Sequence, residues 1–151
     1  MELTRRQMLA FSAGAASLAV AGGYAGPALA SPESTAKMVS EFTGGAEPAT
    51  GKLTLTAPEI AENGNTVPIT VSVDSAMTGD DLVESVVIYA EDNPNPGVAT
   101  FHFSELSGKA EATTRMRLAK TQNVIAVAKM KDGSTFIDKK LVKVTIGGCG
   151  G

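Results

Sequence analysis

The sequence predicts an all-β fold, an antiparallel β-sandwich of about seven strands. Three observations support this prediction. From residue 52 onward, apolar residues alternate with polar ones, β-branched residues are frequent, and turn-forming residues recur at regular intervals. No long segment of helical periodicity separates the strands, which favours a sandwich of immunoglobulin-like type. The cysteine and tryptophan marks of true immunoglobulin domains are absent, because the chain has one cysteine and no tryptophan.

A short N-terminal helix precedes the strands. Ser31 is suited to the N-cap, Pro32 to the first helical position and Glu33 to the first turn. Gly44 and Gly45 are expected to end the helix, because glycine adopts the left-handed conformation of a C-cap. Its small apolar face consists of Met38, Val39 and Phe42.

The strands are predicted, in chain order, at residues 52–56, 67–73, 84–90, 98–103, 112–119, 123–130 and 135–146. Three segments have the composition of turns: Glu62-Asn63-Gly64-Asn65, the proline-rich segment 92–97, and Lys131-Asp132-Gly133-Ser134. Residues 84–90 are mostly apolar, as in a strand covered on both faces. Both faces then belong to the core, or one meets a partner subunit; the residues in question are Val86, Val87, Ile88 and Tyr89.

Residues 1–30 have the features of a cleaved export signal. Arg5 and Arg6 are followed by an uncharged stretch rich in alanine, glycine and serine, which ends in Ala28-Leu29-Ala30. The paired arginines indicate the twin-arginine route, and hence the periplasm. The predicted organisation is therefore a signal peptide at 1–30, a β-sandwich at 31–146 and a C-terminal arm at 147–151, with no membrane attachment after cleavage.

Charge and cysteine content exclude several classes of protein. The chain of 151 residues has a formal net charge of −3, which argues against nucleic-acid binding. A single cysteine rules out an internal disulfide framework. The thiol must therefore stay free, pair with another chain or carry a group.

The chain ends in Gly147-Gly148-Cys149-Gly150-Gly151, which surrounds the only cysteine with residues that have no side chain. Glycine is conformationally permissive, so the segment is expected to form a slim swinging arm that presents the Cys149 thiol to a narrow pocket. No lysine, arginine or histidine adjoins Cys149 in sequence. Because the thiolate is the reactive form, we expect a partner to supply the activation.

This C-terminal motif, together with the export signal and the small β-rich body, resembles the SoxY family, the sulfur-carrier subunits of the bacterial periplasmic thiosulfate-oxidising (Sox) system. The resemblance implies a non-catalytic carrier with no metal and no cofactor other than sulfur intermediates bound covalently to Cys149. It also implies a heterodimer with a SoxZ-like subunit. Transient partners would be a c-type cytochrome complex that attaches thiosulfate, a hydrolase that releases sulfate and, in some systems, a sulfane dehydrogenase.

Other functions fit the residues less well. A Cys–His hydrolase needs a base held against the thiol, and the only histidine, His102, lies on a predicted strand. Blue copper requires two histidines besides a cysteine. A ubiquitin-like carrier would use a terminal carboxylate activated by ATP, and would leave Cys149 without a role. A secreted structural or interaction module, with Cys149 in an intermolecular disulfide, remains the alternative.

Two groups of basic residues could attract anions or acidic partners. The first lies on and after the predicted strand 112–119, and the second lies just before the arm. Alternating charges on a strand more often form a solvated face. The groups are Arg115, Arg117 and Lys120, and Lys139, Lys140 and Lys143.

Overall fold

Two β-sheets face each other in the computed structural model, which describes residues 31–148. One sheet has three strands in the order β1-β3-β6, and the other has five in the order β2-β8-β7-β4-β5. The elements are α1 (Pro32–Thr43), β1 (Leu53–Thr56), β2 (Ile60–Asn63), β3 (Val67–Val73), β4 (Val83–Ala90), β5 (Gly97–His102), β6 (Ala110–Met116), β7 (Gln122–Met130) and β8 (Thr135–Ile146), with 3₁₀ turns at Gly79–Asp81 and Glu105–Ser107.

Helix α1 forms as the sequence predicts. Ser31 Oγ accepts a hydrogen bond from the Ser34 amide, and Ser34 Oγ accepts one from the Ser31 amide, so two amides at the helix start are satisfied. The helix ends at Gly44, whose φ of 69° places it in the left-handed region.

The main core lies between the two sheets. Alternate residues of β3 point into it, and β4 and β7 contribute long buried runs. Its largest fully buried side chains are Leu55, Ile69, Met77, Ile88, Leu118 and Met130. Burial of this apolar surface, at about 25 cal/mol per Å², is the main force that holds the sheets together.

A second apolar cluster lies on the outer face of the five-stranded sheet. Val87, Tyr89, Ile125 and Val127 are buried there, and α1 covers them with its apolar face of Met38, Val39 and Phe42. Val86 and Ile88 point to the opposite side, into the main core. Strand β4 is therefore apolar on both faces because it is sandwiched between the main core and α1.

The all-β prediction is confirmed, with one strand more than expected. Strand β2 was not predicted, because its sequence Ile60-Ala61-Glu62-Asn63 is short and does not show a clear alternation. The turn predicted to begin at Glu62 begins later, because Glu62 and Asn63 are the last two residues of this strand. It exists through backbone pairing with the distant β8, and this pairing is parallel. Strand β6 also ends earlier than predicted, so that Leu118 and Ala119 lie in the loop before β7.

Candidate functional site

Strand β8 leads the chain toward its cysteine. Residues 135–142 of β8 pair with β7, whereas residues 143–146 pair with β2, in the register Ile60 to Lys143 and Asn63 to Ile146. The last residues of β8 are therefore paired with β2 and no longer with β7. The unpredicted strand β2 fixes the direction in which the chain continues.

Three backbone segments meet directly after β8. The Gly64 amide donates to the Ile146 carbonyl at 2.7 Å, and the Leu118 amide donates to the Gly64 carbonyl at 2.8 Å. The Gly148 amide then donates to the Leu118 carbonyl at 2.9 Å. We call the backbone of Gly64, Leu118, Ala119, Gly147 and Gly148 the arm junction. Gly148 is buried within it, so the C-terminal segment is bound to the domain up to this residue.

Three glycines of the arm junction are there because no side chain would fit. A Cβ on Gly64 would collide with the Leu118 carbonyl oxygen and lie 2.7 Å from the Gly148 nitrogen. A Cβ on Gly147 would collide with the Ala119 carbonyl oxygen, and one on Gly148 would lie 2.8 Å from the Gly64 oxygen. Close approach of backbones is one of the settings that require glycine.

The loop that receives Gly148 is itself held by a buried polar network. Asn93, which is 2% exposed, donates from Nδ2 to the Arg117 carbonyl at 2.8 Å and accepts from the Ala119 amide at 3.0 Å. Gln122, also buried, donates to Asn93 Oδ1 at 2.8 Å. Buried side-chain amides that are fully hydrogen-bonded restrict a segment to one conformation. Asn93 thus fixes both sides of Leu118.

Two hydroxyl groups reinforce the end of β8. The Val144 amide donates to Thr121 Oγ1 at 2.9 Å, so the loop after Leu118 is tied to the strand as well. Thr145 donates to the Glu62 carbonyl at 2.8 Å. Together with the β2 pairing, these bonds leave the last residues of β8 with partners on both sides.

The structure changes where the predicted arm begins. The sequence predicts a swinging arm over residues 147–151, whereas Gly147 and Gly148 pack in the arm junction. Their lack of side chains serves close backbone packing, a use of glycine that composition cannot separate from flexibility. Cys149, Gly150 and Gly151 lie outside the described residues, as do the predicted signal peptide at 1–30 and its Arg5-Arg6 pair, so these predictions stay predictions.

The predicted basic groups are partly neutralised. Lys139 forms an ion pair with Glu91 at 3.0 Å, Lys140 lies 4.0 Å from a carboxylate oxygen of Asp138, and Lys120 lies 3.7 Å from Asp92. Arg115, Arg117 and Lys143 are exposed. This arrangement is typical of a solvated surface rather than of a dedicated anion site.

His102 lies on β5, where it is exposed and in register with Ser85. Strand β5 is the edge of the five-stranded sheet opposite to β2, which carries the end of β8. Two strands, β7 and β4, therefore separate His102 from β8. Among residues 31–148, no cluster of histidine, aspartate and glutamate has the arrangement of a metal site.

Two of the clefts on the surface of the described domain are lined by residues other than Gly147 and Gly148. The larger, of about 480 Å³, lies where β3 ends and β6 begins, at the end of the sandwich away from Gly64. The smaller, of about 340 Å³, lies between α1 and the sheet beside Glu91 and Lys139. Neither of these two clefts is therefore part of the arm junction.

Sequence reasoning missed Gly64 and Asn93 as residues of this site. Both were assigned to turns, correctly, from their Asn-Gly and proline-rich surroundings. Neither turn carries a local sign that it will contact residues 117–119. The contact depends on strand pairing across the whole chain, such as Val67 with Met116.

Comparison with known proteins points to one family. The family model described as "Sulfur oxidation protein SoxY" matches residues 39–149, a range that includes the cysteine. The solved structure of the sulfur carrier protein SoxY from Chlorobium limicola f thiosulfatophilum is 31% identical, with a TM-score of 0.61, and the match covers 77% of this chain and 100% of that one. No curated protein matches the sequence.

Two further structures share the fold alone. Both are single-substitution forms of superoxide reductase (neelaredoxin) from Ignicoccus hospitalis, each 21% identical to this chain, with TM-scores of 0.53 and 0.52. These matches cover 64% and 67% of this chain, and 82% and 84% of the reductase chains.

Among residues 31–148, the structure contains no helix with the length and apolar character of a membrane span.

Proposed function

The chain belongs to the SoxY family of sulfur oxidation proteins, and from this membership we propose that it is a covalent carrier of sulfur intermediates. Thiosulfate would be attached to Cys149 and presented there to partner enzymes. The protein would supply the attachment point and its placement, and the partners would supply the catalysis.

The observation that carries this proposal is the extent of the family match, which runs to residue 149 and so includes the only cysteine. The arm junction supports it. Because Gly148 is bound to the domain, the residue that follows it is attached to a fixed point rather than to a long tail. A carrier benefits from such attachment, since a confined thiol has a high effective concentration at a docked enzyme.

Loading and unloading follow from thiol chemistry. The Cys149 thiol and the outer sulfur of thiosulfate would form a sulfur–sulfur bond with loss of one proton and two electrons, and the cytochrome complex would accept the electrons. Hydrolysis of the terminal sulfonate would then release sulfate and leave a persulfide on Cys149. The residues adjoining Cys149 in sequence offer no base, so the partner's pocket would have to stabilise the thiolate.

Location and partners follow from the same proposal. The chain would reach the periplasm by the twin-arginine route, lose residues 1–30 and pair with a SoxZ-like subunit. The cytochrome complex, the sulfate-releasing hydrolase and, where present, the sulfane dehydrogenase would dock in turn. Carrying a group between enzymes requires that each of them bind transiently.

The test is the intact mass of the mature protein, purified from the periplasm of thiosulfate-fed cells and measured before and after reduction. We expect adducts with the mass of sulfur, thiosulfate or sulfonate, located on Cys149 and removed by reductant. A co-purifying small subunit is expected as well. The Cys149→Ser variant, which replaces a single sulfur atom by oxygen, should fold normally and carry no adduct.

Two results would contradict the proposal. An adduct on the Cys149→Ser variant would place the carried sulfur elsewhere. An unmodified thiol, or only a disulfide between two copies of the chain with no small partner, would favour the secreted structural module instead.

A further inference from the structure

We propose that Gly64 and Asn93 are positioning residues for Cys149, although they lie 85 and 56 residues before it in the sequence. Together they would hold residues 117–119 in place, and through the Leu118 carbonyl they would fix Gly148. This inference rests on the proposed carrier function of Cys149. It adds that the point from which the cysteine is presented is set by the contacts of Gly148 with the domain.

A series of hydrogen bonds connects Asn93 with Gly148. Asn93 holds the backbone on both sides of Leu118, at Arg117 and at Ala119. Leu118 then links Gly64 to Gly148 through its amide and its carbonyl. Gly148 is thus linked to Asn93 through the three-residue segment 117–119.

The backbone around Gly64 leaves no room for a side chain. The Gly64 position admits no Cβ, because the Leu118 oxygen, the Gly148 nitrogen and a methyl group of Val144 at 2.9 Å surround it. Two of these three atoms belong to backbone, which cannot turn aside as a flexible side chain would. An alanine at position 64 must therefore push Leu118 and Gly148 apart.

The binding of Gly148 to the domain limits how far Cys149 can extend from it. If the five residues after Ile146 were free, they would span about 17 Å when extended. With Gly148 fixed, covalent geometry keeps the Cα of Cys149 within about 3.8 Å of the Gly148 Cα. A partner enzyme must then approach the arm junction itself, and a displacement of Gly148 displaces the thiol by a similar amount.

The experiment uses the single cysteine as a unique labelling site. A nitroxide on Cys149 of the mature protein should strongly relax the amides of Asn65 and Lys120, which adjoin the arm junction. In Gly64→Ala the relaxation of these two amides should weaken, and weaker relaxation should extend to more amides around them. Cytochrome-dependent loading with thiosulfate should fall on the order of ten- to a hundredfold, as expected for a reacting group displaced by about 1 Å.

Two control variants separate positioning from general stability. Gly97→Ala is the matched glycine substitution, because a Cβ there would meet only the Met38 methyl at an ordinary 3.6 Å. Val73→Ala weakens the core at the opposite end of β3 and leaves the arm junction intact. Both should retain the relaxation pattern and the loading rate, even where Val73→Ala lowers the melting temperature as much as Gly64→Ala does.

Asn93 provides an independent variant if Gly64→Ala does not fold. Asn93→Ala removes both bonds to residues 117–119, and it should weaken the relaxation pattern and lower the loading rate as Gly64→Ala does. Unchanged relaxation in whichever of Gly64→Ala and Asn93→Ala folds, or normal loading despite altered relaxation, would overturn the positioning role. Failure of the wild-type protein to load, with the relaxation pattern as expected, would instead overturn the proposed function.

Discussion

The amide of Gly148 donates to the carbonyl of Leu118 at 2.9 Å, so the chain is bound to the domain one residue before its only cysteine. This bond joins the end of β8 to the loop between β6 and β7. The motif glycines on the two sides of Cys149 consequently differ, because Gly148 belongs to the arm junction whereas Gly150 follows the cysteine.

This difference predicts unequal effects of the same substitution. Gly148→Ala should lower the free energy of unfolding by about 1–3 kcal/mol, because its Cβ would lie 2.8 Å from the Gly64 carbonyl oxygen. Gly150→Ala should leave the free energy of unfolding unchanged and affect only partner-dependent processing. Urea denaturation of both variants measures the difference, and coinciding midpoints would show that the arm junction contributes nothing to stability.

The second prediction concerns the contribution of Asp138 to stability, on the side of the sandwich where β1 and β8 meet. The Leu55 amide of the edge strand β1 donates to Asp138 Oδ2 at 2.8 Å, a bond that links the two sheets. Asp138→Ala should lower the free energy of unfolding by about 1–2 kcal/mol, since hydrogen bonds to charged acceptors are among the stronger ones. Asp138→Asn, which keeps an acceptor oxygen, should lose less.

The control for Asp138 is Asp80→Ala, an exposed carboxylate in the 3₁₀ turn at Gly79–Asp81. Its unfolding free energy should equal that of the wild type. Equal free energies of unfolding for Asp138→Ala and Asp80→Ala would mean that the hydrogen bond from the Leu55 amide to Asp138 contributes nothing to stability.

The lowered pKa of Glu91 should make the stability of the protein depend on pH. Partial burial raises the pKa of Glu91, but the hydrogen bonds from Asn123 and Lys139 outweigh burial and hold the pKa below the ordinary value of 4.5. A carboxyl group whose pKa is lowered by folding stabilises the protein above its unfolded pKa, and this contribution is lost as pH falls through the folded pKa. In Glu91→Gln, the free energy of unfolding should therefore fall less steeply below about pH 4.5 than in the wild type.

The measurement for Glu91 is a series of urea denaturation curves at decreasing pH, with the exposed Glu105→Gln as control. Glu105→Gln should follow the wild-type dependence. A Glu91→Gln profile parallel to that of the wild type would show that folding does not lower the pKa of Glu91.

The parts of the fold that were predictable from sequence are those with local causes. The helix limits follow from Ser31 and Gly44, and the strands β3 and β8 from their own alternation. Strand β2 could not be found, because its pairing partner in β8 lies more than 80 residues away. The site divides in the same way: Cys149 stands out by composition, whereas Gly64 and Asn93 acquire their role only when distant backbones meet.

The last prediction concerns where partner enzymes dock. If the cysteine is presented from a fixed Gly148, an enzyme that receives it must cover the surface beside the arm junction, including the exposed Thr66 that follows the Gly64 turn. Thr66→Arg should slow cytochrome-dependent loading, mainly by raising KM, and leave alkylation of Cys149 by iodoacetamide unchanged. Thr100→Arg is the matched control on the exposed edge strand β5, which lies four strand spacings, about 19 Å, from β2. Equal loading rates for the two variants would show that the enzyme does not contact the surface beside the arm junction, and that the thiol reaches it from further away.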